Sequence, residues 1–263
     1  MRAEARGLRG KQPKIMVQGP KAGTAPIPIS KVGQKNSFLN SELRTPNSKR
    51  LGLFGGTFNP IHLGHLRAGI EIQERFSLDK IIFIPTAVPP HKKTDNLLSF
   101  HHRLKMVRLA IAGLPFLQVS DIEYKRKGKS YTIETVRFFK EKVKAKTALF
   151  FIVGMDAFLE INTWKDFKDL FALTHFVVMD RPGYRRSHLK EFLRKEVSSE
   201  IRFYPQENRF DLPNGFSVYV SSLTLMDISS TRIRALRKEK HSLRYLLPQG
   251  VENYILKKDL YAS

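Results

Sequence analysis

Residues 51–65 read LGLFGGTFNPIHLGH, and this stretch decides the fold. Leu51, Leu53 and Phe54 read as the end of a short buried strand. Gly55 and Gly56 let the backbone turn tightly and come close to a ligand, because no Cβ obstructs it. Pro60 cannot donate to a ladder, so the strand ends before it. From about His62 the chain continues LGHLRAGIEIQERF, with Leu63, Leu66, Ile70 and Phe76 at roughly helical spacing. The unit is strand, glycine turn, helix. A helix start of this kind favours phosphate through its N–H groups and its dipole.

His62 and His65 are three apart and share a face in the first helical turn. Each can donate from a ring nitrogen to phosphate oxygens beyond the helix start. An isolated H-x-x-H is more often one capping and one packed histidine. The Gly-Gly turn in front of this pair shifts the balance toward phosphate.

Working outward, Lys80–Pro85 (KIIFIP) reads as a buried strand, broken by the basic, proline-containing loop TAVPPHKK at 86–93. A helix is expected over Phe100–Ala112, a strand over Leu117–Ile122, and a basic turn at Arg126–Lys129. Tyr131–Val143 has a helical pattern with Ser130 as its expected cap. Ala148–Val153 (ALFFIV) is the most apolar strand, and it runs into Gly154-Met155-Asp156. Phe158–Leu173 is expected to be partly helical, His175–Met179 a strand ended by Arg181-Pro182-Gly183, and 184–215 polar and irregular with a basic helix at Ser187–Val197. Phe216–Val220 completes the strands. Ile228–Lys238 and Gly250–Lys258 close the chain as helices. Strands alternating with helices predict an α/β fold, a Rossmann-like, doubly wound parallel sheet. Ligands of such sheets bind beyond the carboxyl ends of the strands. The turns after Phe54, Ile84 and Val153 lie at such ends and are expected to gather in one crevice.

The chain has 263 residues, is 41% hydrophobic and has no cysteine. It can bury one substantial core, and it can hold neither a disulfide nor a thiolate metal site. No apolar run approaches the ~20 residues that span a bilayer. The formal net charge of +22 suggests polyanionic partners. Residues 1–50 carry eleven Lys and Arg against Glu4 and Glu42, a balance of +9, so the remainder carries +13. Residues 1–48 are poor in aromatics and rich in polar residues, and they read as a disordered basic extension to a domain at 49–263. A transit peptide, or a true start at Met16, fits the same composition.

Two phosphate motifs are excluded. No G-x-G-x-x-G occurs, and Gly128-Lys129-Ser130 lacks the P-loop's first glycine because Glu123 stands there. The second informative stretch is DISSTRIR at 227–234. Ser229 or Ser230 can cap a helix, Thr231 lies in its first turn, and Arg234 sits on the same side as Thr231. Alone, this is an ordinary capped surface helix. Beside the upstream site it reads as a second anion site with an arginine fork.

The two stretches together resemble the signatures of the nucleotidyltransferases with a (T/H)-x-G-H motif. Within them the chain is most similar to the nicotinate-nucleotide adenylyltransferases. PTAVPPHK at 85–92, SYT at 130–132, FIVGMDAF at 151–158, TW at 163–164, RPG at 181–183 and LLP at 246–248 occur in that family's order. The resemblance runs from about Arg50 to the C-terminus and leaves out the tail and much of 184–215.

The resemblance implies adenylyl transfer from ATP to nicotinate mononucleotide in NAD biosynthesis, with release of pyrophosphate. It implies catalytic roles for His62, His65 and Arg234. It implies ATP contacts for Gly55, Gly56, Thr57, Phe58, Gly154, Asp156, Ser230 and Thr231. It implies nicotinate contacts for Thr86, Tyr131, Thr132 and Trp164, with Lys92 and Arg181 as phosphate or adenine neighbours. Mg²⁺ is expected to arrive on the ATP phosphates, with no protein ligand. A cytoplasmic location and no membrane or nucleic-acid partner are expected, and a homo-oligomer stays open. The rivals are an adenylyltransferase for nicotinamide mononucleotide or phosphopantetheine, and an RNA-binding protein that kept the fold. An aminoacyl-tRNA synthetase fragment lacks its K-M-S-K-S-like loop here.

Overall fold

A computed structural model of the chain describes residues 48–89, 97–180 and 186–262. The tail expected at 1–48 lies outside these residues but for Ser48, as do His91, Lys92 and the turn at 181–183. The strands are β1 (Arg50–Gly56), β2 (Lys80–Pro85), β3 (Leu117–Val119), β4 (Ala148–Gly154), β5 (His175–Met179), β6 (Arg202–Tyr204), β7 (Arg209–Asp211) and β8 (Ser217–Ser221). The helices are α1 (Leu63–Phe76), α2 (Phe100–Ala110), α3 (Ile122–Arg126), α4 (Thr132–Lys142), α5 (Met155–Leu159), α6 (Phe167–Leu170), α7 (Arg186–Glu196), α8 (Ser230–Lys238) and α9 (Gln249–Lys257).

The strands form one sheet in the order β3-β2-β1-β4-β5-β8-β7-β6. The first six in that order are parallel. The expectation of a purely parallel sheet is corrected at one edge, where β7 and β6 run antiparallel. This hairpin lies inside the stretch read as irregular. Its strands are three residues long, too short to show alternation.

Both faces of the sheet are covered, as the continuous apolar run of β4 requires. Leu149, Phe151 and Val153 enter one core layer with Ile133 and Val136 of α4 and Leu189 of α7. Phe150 and Ile152 enter the other with Ile72 of α1, Val107 of α2 and Ile255 of α9. Helix α1 packs closely on β2, since a Cβ at Gly69 would lie 3.3 Å from the Phe83 ring. Among the described residues no helix is long and apolar enough to cross a membrane.

Two local expectations fail. The strand expected over Leu117–Ile122 stops at Val119. The Ile122 N–H donates to Ser120 Oγ at 3.3 Å, and the chain turns into α3. Ser130 does not cap α4, whose N-cap is Tyr131 with no side-chain cap. Ser130 Oγ instead accepts the N–H groups of Ala87 and Val88, both at 3.1 Å. The loop after β2 competed for that hydroxyl and took it.

His175 opens β5, buried. Its Nδ1 accepts the Ser217 N–H at 3.1 Å, and its ring stacks on Phe150 with centroids 5.0 Å apart. Burial, with help from the charges of Lys140 and Arg50, lowers its pKa to about 4. The folded state therefore holds the ring neutral, while the unfolded chain protonates it near the ordinary histidine value. This contribution is complete above about pH 6.5 and is lost as pH falls toward about 4, roughly 3 kcal/mol in all. His175→Asn keeps an acceptor for Ser217 and removes the titration. Urea unfolding at pH 7 and pH 4.5 will show the wild type losing roughly 2–3 kcal/mol more than the variant.

Candidate active site

Strands β2, β1 and β4 are neighbours, and their carboxyl ends carry the three turns expected to meet. Strand order reverses at β1, so a crevice opens there. The turn after β1 passes through Phe58, which is 2% exposed and has φ 47°. A Cβ at Gly56 would lie 2.8–3.1 Å from three atoms of the Phe58 ring. Glycine at 56 is thus needed by the packing of the turn itself.

His62 is the N-cap of α1 and is buried at 7% exposure. Its backbone N–H donates to His65 Nδ1 at 3.3 Å. With Nδ1 an acceptor, the neutral ring of His65 carries its proton on Nε2. The two imidazoles lie 3.7 Å apart, and His65 stands edge-on to Phe58 at 5.1 Å. A Cβ at Gly64 would meet the His62 ring at 3.1–3.2 Å. The pair is held in place from several sides.

The second motif reaches the same turn. Ser229 is the N-cap of α8, its Oγ accepting the Arg232 N–H at 3.1 Å. Ser230 Oγ donates to the Pro60 carbonyl at 2.8 Å. Arg234 Nη1 donates to the Asn59 carbonyl at 2.9 Å, and Nη2 to Thr231 Oγ1 at 3.3 Å. Further along, the Leu63 N–H donates to the Leu246 carbonyl at 3.0 Å. The beginnings of α1 and α8 are joined directly, and both present helix N-termini and cationic or hydroxyl donors.

The remaining residues fall around this centre. Gly154 ends β4, and Asp156 is exposed in the first turn of α5. Thr86 follows β2. Half-buried Trp164 stands edge-on to Phe151 of β4 at 6.2 Å. Lys165, next in sequence, places Nζ 4.8 Å from the Tyr131 ring centroid and 2.9 Å from Glu134 Oε1. Lys165 thus ties the segment just after Trp164 to Tyr131 and Glu134 at the start of α4. Among the described residues no three of His, Asp or Glu converge as a metal cluster.

Sequence reasoning missed Asn59 and Arg103. Asn59 Oδ1 accepts from Tyr261 Oη at 2.8 Å and from the Leu98 N–H at 3.3 Å, while its carbonyl holds Arg234. Arg103 is 1% exposed and bonds to carbonyls of two loops.

The profile of the cytidylyltransferase-like family matches residues 53–236. A curated relative from Geotalea uraniireducens, named "Probable nicotinate-nucleotide adenylyltransferase", is 43% identical over 212 residues, covering 81% of this chain and 98% of the relative. One of the same name from Geobacter sulfurreducens is 42% identical over 213 residues, covering 81% and 98%. The chain belongs to the nicotinate-nucleotide adenylyltransferase family. The solved nicotinic acid mononucleotide adenylyltransferase of Plasmodium falciparum, complexed with NaAD, is similar in fold, with a TM-score of 0.62 at 19% identity over 81% of this chain and 97% of that one.

The resemblance implies catalytic roles for His62 and His65, and Gly64 offers a test of whether their register matters. Gly64→Ala adds a Cβ against a ring that cannot easily retreat, because His65 lies behind it. Alanine favours helix over glycine by up to about 1 kcal/mol, which offsets part of the cost of that tight contact. Turnover of the Gly64→Ala variant will fall at least roughly tenfold, while its far-ultraviolet spectrum is unchanged and its melting temperature falls by no more than a few degrees.

Proposed function

We propose that this chain transfers the adenylyl group of ATP to nicotinate mononucleotide, giving nicotinate adenine dinucleotide and pyrophosphate. The observation that carries the reading is the pair of hydrogen bonds from Ser230 and Arg234 to the Pro60 and Asn59 carbonyls. They join the two anion-binding helix starts at one crevice, where a triphosphate can span both. The names of the 42–43% identical relatives support the acceptor.

The mononucleotide's phosphate is the nucleophile. It is largely ionised near neutrality, its second pKa being about 6. One of its oxygens bonds to the α-phosphorus of ATP, and the bond from that phosphorus to the β-bridging oxygen breaks. The electron pair leaves with pyrophosphate. No protein nucleophile or strong base is needed, so catalysis is positioning and charge stabilisation.

His65 donates its Nε2 proton in a hydrogen bond to a phosphate oxygen on which charge grows, and His62 contacts the phosphates beside it. Ser230, Thr231 and Arg234 hold the β- and γ-phosphates. Gly55, Gly56, Thr57 and Phe58 line the nucleotide, and Gly154 with Asp156 meets the adenosine ribose. Trp164 stacks on the pyridine ring. Thr86, Tyr131 and Thr132 face its carboxylate, and the start of α4, which no side chain caps, suits an anion. The side chains at the crevice are mainly donors, so Mg²⁺ enters as part of the MgATP substrate, held by phosphate oxygens and water. Residues 1–48 are dispensable in this reading, and the enzyme works in the cytoplasm.

A pyrophosphate-release assay with ATP and a panel of acceptors tests this. Nicotinate mononucleotide will be preferred to the amide by roughly a hundredfold or more, because the amide leaves carboxylate-directed donors without a charge. Equal rates would refute the acceptor. His65→Ala will lower turnover by about two orders of magnitude or more with an unchanged far-ultraviolet spectrum. Near-normal turnover would remove His65 from its role.

A further inference from the structure

The segment 86–88 has every backbone polar group engaged by the protein. The Thr86 N–H donates to the Gly56 carbonyl at 2.9 Å. The Thr86 carbonyl accepts from Arg103 Nη1 at 2.7 Å, and the Ala87 carbonyl accepts from Nη2 at 3.3 Å. The Ala87 and Val88 N–H groups donate to Ser130 Oγ, and the Val88 carbonyl accepts the Ser130 N–H at 3.0 Å. Glu123 Oε2 also accepts from Ala87 at 3.4 Å. The Ala87 peptide is thus gripped from both sides, by a guanidinium at its oxygens and by a hydroxyl and a carboxylate at its N–H.

Arg103 does more than hold one loop. Its Nη1 donates at 2.8 Å to the Thr57 carbonyl, in the turn after β1, and its Nε at 3.0 Å to the Leu98 carbonyl. The side chain is 1% exposed, and its hydrogen bonds go to four carbonyl oxygens. Burying a guanidinium is costly. A hydrophobic residue would fill a helix face more cheaply, so the fixed five-donor fork is what the position uses. On the far side, Glu123 is 7% exposed and receives the Thr135 hydroxyl at 2.9 Å. Ser130 Oγ, accepting from both the Ala87 and Val88 N–H groups, and Glu123 Oε2, accepting from Ala87, close this side of the loop.

We infer that Arg103, with Glu123 and Ser130 opposite it, is a positioning residue that sets the gap between the ATP-side turn at Thr57 and the acceptor-side loop at Thr86–Val88, and so fixes which acceptor fits. The inference rests on the acceptor reading proposed above. The turn after β1 has independent support from Ser230, Arg234 and Tyr261. The loop after β2 takes two hydrogen bonds from Arg103, to the Thr86 and Ala87 carbonyls, against one to the turn after β1. Loss of the fork therefore falls on the acceptor rather than on ATP.

The test is the ratio of kcat/KM for nicotinate mononucleotide to that for the amide, with KM for ATP measured alongside. Arg103→Lys keeps the charge and loses the fork. It will lower the acid-over-amide ratio by roughly tenfold or more, mainly through KM for the acid, with KM for ATP changed less than about threefold. Ser130→Ala, which deletes one oxygen, will lower the ratio in the same direction. A folded Arg103→Lys that keeps the wild-type ratio overturns the proposal. So does a uniform loss with both acceptors and ATP, which is what mere destabilisation produces. If Arg103→Lys does not fold, Ser130→Ala decides: a lowered ratio supports the proposal and an unchanged one overturns it. A wild type that turns over neither mononucleotide instead overturns the acceptor reading, and this inference with it.

Discussion

Two backbone carbonyls, those of Asn59 and Pro60, hold the two ends of this chain's chemistry together. Ser230 and Arg234 bond to them across 170 and 175 residues of sequence. Each such bond contributes only about 1 kcal/mol net, and somewhat more where a charge donates. Their value is geometric. They bring the N-terminus of α8 against the N-terminus of α1, so two imidazoles, hydroxyls and a guanidinium converge. None of these groups alone distinguishes a phosphate site from a surface helix. Their joint placement is what supports the phosphate reading proposed above.

That placement is reinforced at each step away from the carbonyls. Glu71 of α1 accepts the Thr224 N–H at 3.0 Å, and Arg75 donates to Ser221 Oγ at 2.6 Å. Helix α1 therefore carries the histidines at one end and steadies the approach to α8 along its flank. Tyr261 Oη closes the other side of Asn59. Burial pushes the Tyr261 hydroxyl well above the ordinary tyrosine range, so it stays a donor. A reaction whose nucleophile is supplied by the substrate gains most from rigidity of this kind, since small misplacement of reacting groups lowers the rate steeply.

Much of this was legible in the sequence because the signals were local. Long apolar runs and Gly or Pro punctuation marked β1, β2, β4 and β5, the first-motif helix began close to the expected His62, and the second-motif helix began at the expected Ser229 cap. What escaped was decided by competition or by distance. Ser130 was a sound cap by rule, but the Ala87 and Val88 amides claimed its oxygen from 42 and 43 residues away. The β6–β7 hairpin was too short to show a period. Arg103 did leave a trace: it lies three residues after Phe100 and four before Val107, on the apolar stripe of α2. A charged residue on such a stripe is either an error in phase or a buried polar anchor. Only the carbonyls of Thr57, Thr86 and Ala87, brought in by the sheet, say which.

Some of the arginines are paired with carboxylates, whereas the two beside the candidate crevice bond to neutral oxygens, as buried Arg50 does at the other end of β1. Arg209 pairs with Glu207 at 2.8 Å and Asp211 at 3.0 Å, and Arg126 with Glu134 at 3.0 Å. Their charges are largely cancelled by their partners. Arg103 and Arg234 instead direct hydrogen bonds to neutral oxygens, so each fixes a loop; Glu123 lies close enough to Arg103 to act on its charge, while Arg234 has no hydrogen-bonded carboxylate among the described residues. At an effective dielectric of about 20, a unit charge about 8 Å away is worth roughly 2 kcal/mol to a negative group. Carbonyl-bonded arginines thus do two jobs that a salt bridge cannot combine. They hold the turns rigid, and Arg234 keeps a positive charge on the side where the reaction proposed above must bring a triphosphate and a second phosphate together against their mutual repulsion.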